Sequence, residues 1–170
     1  MRLVTPSCVI RDWDPGDQAS LVLHANNRSV WRNLRDRFPH PYTPADAEWW
    51  LARNATIKPW THWAIEVEGQ AVGSIGFDAG EDVCAGTGEF GYWLGERYWG
   101  RGIMSAAVGA VVSHVFSHHG IERLQASVFE WNPASMRVLK KCGFAREGVL
   151  RRAVLKDGCR IDAVLYARVR

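Results

Sequence analysis

Along this chain apolar positions alternate in some stretches and recur at helical spacing in others, and the clearest switch lies near residue 100. The run "GEFGYWL" (Gly88 to Leu94) alternates as a strand with one buried face does. Beyond it Ile103, Ala107, Val111 and Val115 make one helical stripe, with Met104, Val108, Val112 and Phe116 beside it. Upstream, "SCVIR" (Ser7 to Arg11) reads as a strand, and Asp14 as an N-cap with Pro15 opening a helix to about Ala25. The segment "NNRSVWRNLRDRFPHPY" predicts a short helix followed by loop, and Thr43-Pro44 starts a helix to roughly Asn54. "HWAIEVEG" and "QAVGSIGFDA" form an antiparallel hairpin around Glu68-Gly69-Gln70. "RLQASVFE" is a strand, Asn132-Pro133 opens a helix that ends at Cys142-Gly143, and "GVLRRAVL" with "CRIDAVLYARV" closes the chain as a hairpin. The order βααβββαβαββ predicts an α/β (α+β) fold, a mixed sheet of about seven strands with helices on both faces. The length of 170 residues suits a single domain over 1–170.

Composition narrows the function classes. A net charge of +3 with scattered basic residues suits an anionic small ligand and excludes the concentrated basic stripe of a nucleic-acid-binding face. No apolar run approaches the ~18 residues of a membrane span, and the start lacks an apolar leader, so a soluble cytoplasmic protein is expected. The four cysteines have no C-x-x-C spacing, and His114 with His118 has no carboxylate to join it, so no metal is expected. Nine tryptophans are many for this length, and Trp31, Trp49, Trp50, Trp60 and Trp63 crowd one region. Most would pack, while an exposed one in a cleft would hold a ligand.

The stretch "RYWGRGIM" (Arg97 to Met104) carries the most chemistry. Glycine is a poor helix former, yet Gly100 and Gly102 stand at the entrance of the surest helix in the chain. A helix N-terminus offers unpaired N–H groups and partial positive charge, and the missing Cβ atoms let a bulky phosphate come close. Arg97 and Arg101 can add charge-assisted bonds. A tight strand-to-helix turn that merely needs glycine is the competing reading. The P-loop pattern is absent, and the antiparallel hairpins upstream do not suit a dinucleotide fingerprint.

In register with the strand before and the helix after it, Arg97-x-x-Gly100-x-Gly102 resembles the first signature of the GNAT superfamily of N-acetyltransferases. "NPASMRVLKKCGF" (Asn132 to Phe144) resembles the second, and the closing hairpin is similar to that of the RimJ and RimL branch, enzymes that acetylate N-termini of ribosomal proteins. The resemblance implies a GNAT fold, acetyl-CoA as cofactor and a primary amine as acceptor, in a monomer or homodimer. By the same resemblance the N–H groups of Arg101, Ile103, Met104 and those around Gly100 and Gly102 hold the pyrophosphate, with Ser105 helping. The backbone of Trp93 and Leu94 pairs with the pantetheine arm, Asn132 reaches toward its sulfur end, and Arg137 and Lys140 are candidates for the nucleotide end.

Direct attack on a thioester needs a neutral amine, and an alkyl amine with a pKa near ~10 is almost wholly protonated at neutral pH. Glu89, four residues before Trp93 and on the same strand face, is the candidate base; a solvated strand carboxylate is the other reading. Many GNAT enzymes carry a Tyr seven residues after the motif Asn, where this chain has Leu139; Ser135 matches a proton donor proposed in the RimL pattern. A Glu of RimL in the last hairpin is Val154 here, so the acceptor is not copied from that branch. Trp31, Arg35, Tyr42 and Trp49 are the candidate acceptor-binding residues, suited to a protein N-terminus, an amino acid or another small amine. A module that binds acyl-CoA without turnover is the alternative from another class.

Overall fold

The computed structural model describes residues 1–56 and 58–170. Strands β1 (Arg2–Val4) and β2 (Val9–Arg11) precede helices α1 (Gln18–Ala25), α2 (Arg28–Trp31) and α3 (Pro44–Thr56). The hairpin of β3 (His62–Val67) and β4 (Gln70–Ala79) leads to β5 (Thr87–Leu94) and helix α4 (Ile103–His118). Strand β6 (Arg123–Phe129), helix α5 (Pro133–Lys141) and the hairpin of β7 (Ala145–Lys156) and β8 (Cys159–Val169) complete the order. The strands form one sheet in the order β1-β2-β3-β4-β5-β6-β8-β7. It has one strand more than the sequence pattern suggests. The addition, β1, pairs antiparallel with β2 and spans three residues, too few for alternation to reveal.

Local chemistry sets the helix starts. Asp14 accepts from the Gly16 N–H at 2.8 Å while Asp17 accepts from the Asp14 N–H at 2.9 Å, a capping box that opens a 3-10 turn leading into α1. Asn27 caps α2 by accepting from the Val30 N–H at 3.1 Å.

Apolar side chains pack on both faces. On one, Ile103, Ala107, Val111 and Val115 of α4 and Leu139 of α5 meet Ile65, Val72, Phe77, Phe90 and Leu94 of the sheet. On the other, Leu21 and Ala25 of α1 and Ala47 of α3 pack with Tyr42, Trp50 and Trp93. Strand β5 therefore sends Phe90, Tyr92 and Leu94 toward α4 and α5, and Trp93 toward α1 and α3.

The sheet divides at its centre. Strands β5 and β6 pair in parallel only from Thr87 with Arg123 to Glu89 with Gln125. Past that point β5 stays with β4 up to Leu94, and β6 stays with β8 up to Phe129, which opens a gap between them. The phase of β5 follows from its ends: the Gly95 N–H bonds the Val72 carbonyl at 2.8 Å, and the Gly80 N–H bonds the Thr87 carbonyl at 2.7 Å. Backbone groups of residues 87, 89, 91 and 93 thus face β4, and those of Phe90, Tyr92 and Leu94 face the gap.

Candidate active site

Helix α4 starts at the mouth of this gap, and it starts uncapped. Its N-cap, Gly102, has φ 77° and no side chain to bond the first turn, and Gly100 has φ 74°. Both values lie in the left-handed region that glycine enters without steric penalty. The first intrahelical bond runs from the Ala106 N–H to the Gly102 carbonyl at 3.1 Å, so the N–H groups of Ile103, Met104 and Ser105 are the helix's orphan donors. A Cβ built on Gly100 or Gly102 meets no atom within 4 Å. Protein packing therefore does not require glycine there; the backbone turn does, and it leaves space in front of the donors. By contrast, Asn132 caps α5 with its own side chain, accepting from the Ser135 N–H at 3.1 Å.

A cleft of about 1300 Å³ follows the gap. Gly100, Gly102, Met104 and Ser105 line one end; Leu94, Tyr92, Asn132 and Ser135 the middle; Glu89, Arg35, Trp49 and His62 the far end. Arg137 also lines it. Four expected site residues do not contribute side chains. Arg97 is exposed outside the cleft, Lys140 lies on the solvent side of α5, and Arg101 sits with its guanidinium 5.4 Å over the Tyr98 ring beside a smaller pocket. Trp31 is the fourth: its ring lies beneath the Lys156 ammonium at 3.5 Å, behind the cleft wall. For Arg101 the side chain points away while its backbone remains part of the glycine turn.

The backbone of Trp93 needs a correction. Its N–H and carbonyl face Ser74 of β4, so they are not free to pair with a pantetheine arm. Tyr92 and Leu94 present the open edge, and the Leu94 carbonyl accepts the Trp99 indole N–H at 2.7 Å. Alternation of side chains was legible in "GEFGYWL"; which edge each amide faces depends on where β4 docks.

At the far end the candidate base is engaged. One oxygen of Glu89 accepts from Arg35 Nη2 at 2.7 Å, and the other accepts from Gln125 Nε2 at 3.2 Å. Asp78, opposite Glu89 in the β4–β5 ladder, accepts from Arg37 Nη2 at 3.0 Å and lies 3.5 Å from His62 Nε2. Burial pushes Asp78 up, but the bond from Arg37 and the charges of Arg37 and Arg53 outweigh it and leave its carboxyl below the usual range. Burial drives His62 down despite Asp78, so the imidazole is held neutral. Trp49 is 63% exposed on the same wall, whereas Tyr42 lines the cleft from within the α1–α3 core. Its phenol is pushed up by burial.

Sequence reasoning missed several of these groups. Tyr92 reaches across the gap, its hydroxyl 2.8 Å from Ser135 Oγ. Lys156 is fully buried and bonds Asp36 at 2.6 Å, tying the last hairpin to the loop after α2. His62, Asp78 and Gln125 are brought to this end of the cleft by strand register, and Arg37, on the loop after α2, reaches Asp78 there. Leu139 is fully buried in the core and offers no hydroxyl to the cleft.

The architecture agrees with comparison to known proteins. The model of the acetyltransferase (GNAT) domain matches residues 8–145, and the chain belongs to this family. A Bacillus subtilis uncharacterized N-acetyltransferase, YoaA, is 37% identical over 110 residues, 64% of this chain and 62% of that protein. The ribosomal-protein-serine acetyltransferase of Escherichia coli is 34% identical over 102 residues, 60% of this chain and 56% of that protein. The chain spans between 40% and 62% of the length of the first curated relatives it matches. A solved RimL, a ribosomal L7/L12 alpha-N-protein acetyltransferase in complex with coenzyme A, has the same fold, with a TM-score of 0.86 at 23% identity over 98% of this chain and 96% of that one. GNAT acetyltransferases use acetyl-CoA, and the uncapped, open N-terminus of α4 fits its phosphates. Among the described residues no helix is long and apolar enough to cross a membrane.

Proposed function

We propose that this chain is a single-domain, cytoplasmic N-acetyltransferase that moves an acetyl group from acetyl-CoA to a primary amine. The acceptor is a protein or peptide N-terminus, of the kind acetylated by the E. coli ribosomal-protein-serine enzyme, or a small-molecule amine such as an amino acid, the acceptor class of the E. coli L-amino acid N-acetyltransferase. The observation that carries the reading is the uncapped start of α4 at the mouth of the gap where β5 turns its edge away from β6.

The N–H groups of Ile103, Met104 and Ser105, with the turn at Gly100 and Gly102, hold the pyrophosphate, and Arg137 adds charge. The edge of Tyr92 and Leu94 receives the pantetheine arm as an added strand, and Asn132 and Ser135 face its sulfur end. When bound, acetyl-CoA supplies a thioester carbonyl open to attack. Glu89 removes the proton of the incoming amine, which enters by displacing Arg35 or Gln125 from one carboxylate oxygen. Ser135 steadies the departing sulfur, for which a weak donor suffices because a thiol with a pKa near ~8.5 leaves readily as thiolate.

The test is release of free thiol from acetyl-CoA, read with N-terminal peptides, free amino acids and simple amines. Release with the peptides and not with the blocked, N-acetylated peptides supports the proposal. Tight CoA binding without release for every acceptor leaves the non-catalytic binding module and overturns the enzyme reading.

A further inference from the structure

We propose that Tyr92 is a positioning residue that makes Ser135 a hydrogen-bond donor to the sulfur of coenzyme A. The proposal rests on the acetyltransferase reading above and extends it to a residue on the opposite wall of the gap. Tyr92 stands on β5 and Ser135 in the first turn of α5, and their hydroxyl oxygens are 2.8 Å apart, with both residues lining the cleft. The Tyr92 ring is fixed: it packs edge-on to Phe90 at 5.9 Å, and Phe90 stacks on Phe144 at 5.9 Å. The backbone of Ser135 is fixed too, because its N–H bonds the Asn132 cap.

Each hydroxyl carries one proton, so the direction of the contact decides what Ser135 can do. A phenol is the stronger acid of the two and the better donor. The Tyr92 hydroxyl also lies 3.3 Å from the Ser135 carbonyl, a longer contact than the 2.8 Å to Oγ; with Tyr92 donating to the nearer Oγ, the serine proton has to point elsewhere, and Ser135 lines the cleft. Burial pushes the Tyr92 phenol up, and the nearby Cys142 thiol is pushed up by burial as well, so the phenol keeps its proton and no competing anion forms beside it. The same burial argues against a full relay, since that would leave a buried tyrosinate. Ser135 therefore donates a hydrogen bond to the developing thiolate, and no proton leaves either residue. Its Oγ is made a better donor by the bond it accepts from Tyr92.

The experiment is a pH titration of the thiol of bound coenzyme A, followed by thiolate ultraviolet absorbance, in the unmodified protein, Tyr92→Phe, Ser135→Ala, Ser135→Thr and the double variant. A charge-assisted hydrogen bond predicts that Tyr92→Phe and Ser135→Ala each raise the bound thiol's titration point by roughly one pH unit, that the double variant adds nothing further, and that Ser135→Thr restores it. Turnover should fall about tenfold in each of the two single variants and no more in the double. A thiol that titrates in Tyr92→Phe as in the unmodified protein overturns the proposal, as does a double variant whose losses multiply. Failure of the unmodified protein to bind coenzyme A overturns the acetyltransferase reading itself. Should Tyr92→Phe not fold, a Ser135→Ala titration unchanged from the unmodified protein overturns the proposal by itself.

Discussion

Asp78 lies directly opposite Glu89 in the β4–β5 ladder, and the two carboxylates are held by Arg37 and Arg35, two positions apart on the loop after α2. Directly opposed residues in an antiparallel pair share a face, so the two acids form one anionic spot. Unscreened, such a spot repels itself; the loop cations neutralise it and at the same time fasten the loop over the far end of the cleft. In the proposed reaction a protonated amine arriving at Glu89 competes with Arg35 for the same oxygen.

Removing that competitor should favour a cationic acceptor. Arg35→Gln is expected to lower KM for a peptide amine severalfold at low ionic strength, with the advantage shrinking as salt rises. Arg35 is exposed and Glu89 half-buried, so stability should change by no more than about 1 kcal/mol. Initial rates across acceptor concentration, and a denaturant melt of the same variant, check both parts; a raised KM would show that Arg35 binds the acceptor directly.

Removing the proposed base has a different signature. Glu89→Gln keeps the bond to Arg35 through its carbonyl but accepts no proton, so kcat should fall on the order of 100-fold or more with little change in coenzyme A affinity. Single-turnover rates with saturating acetyl-CoA decide it, and an unchanged kcat would make Glu89 a solvated strand carboxylate.

Two glycines of the same helix should respond oppositely to alanine. Gly102 has φ 77° and faces open space where an anion would sit, so Gly102→Ala is expected to lose roughly 1–2 kcal/mol of stability and at least tenfold in coenzyme A affinity. Gly109 lies in the middle of α4, with nothing within 4 Å of an added Cβ, and Gly109→Ala should gain about 0.5–1 kcal/mol without touching affinity. Thermal melts with calorimetric titration separate the two effects. A Gly102→Ala protein that binds coenzyme A normally would remove the carrying observation.

What was legible in the sequence was local. The stripe Ile103, Ala107, Val111 and Val115 is buried as its spacing implies, and the glycines before it take the positive φ values that their placement suggests. Asn132 caps α5 as expected from Asn-Pro. The missed features are relations between distant segments: Asp78 meets Glu89 through strand register, Tyr92 meets Ser135 through helix docking, and the engagement of Trp93's backbone with Ser74 follows from where β4 docks. Strand β1 is too short to show a period. The aromatic cluster around Trp31 suggests a ligand group, but the buried Lys156 ammonium 3.5 Å over its ring occupies it instead.

The histidines predict how stability depends on pH. His24, His62, His114 and His119 are each lowered, with burial the leading cause, so the folded protein holds them neutral. In the unfolded chain they titrate near the ordinary value of 6.5, so below that pH the unfolded state binds more protons and the equilibrium shifts toward it. Stability should be flat above about pH 7.5 and fall progressively as pH drops through 6.5 toward 5. Asp78 works in another window: its carboxyl lies below the ordinary 3.8, so its contribution is retained above that value and does not offset the histidine loss. Urea midpoints at pH 7.5, 6.5 and 5.5 measure the slope. His119, wedged against Trp63 at 5.7 Å and Phe77 at 5.3 Å, is the residue to replace: His119→Gln removes one titrating group and should flatten the slope between pH 6.5 and 5.5, whatever it does to stability at pH 7.5. A slope as steep as that of the unmodified protein would place the acid sensitivity in other groups.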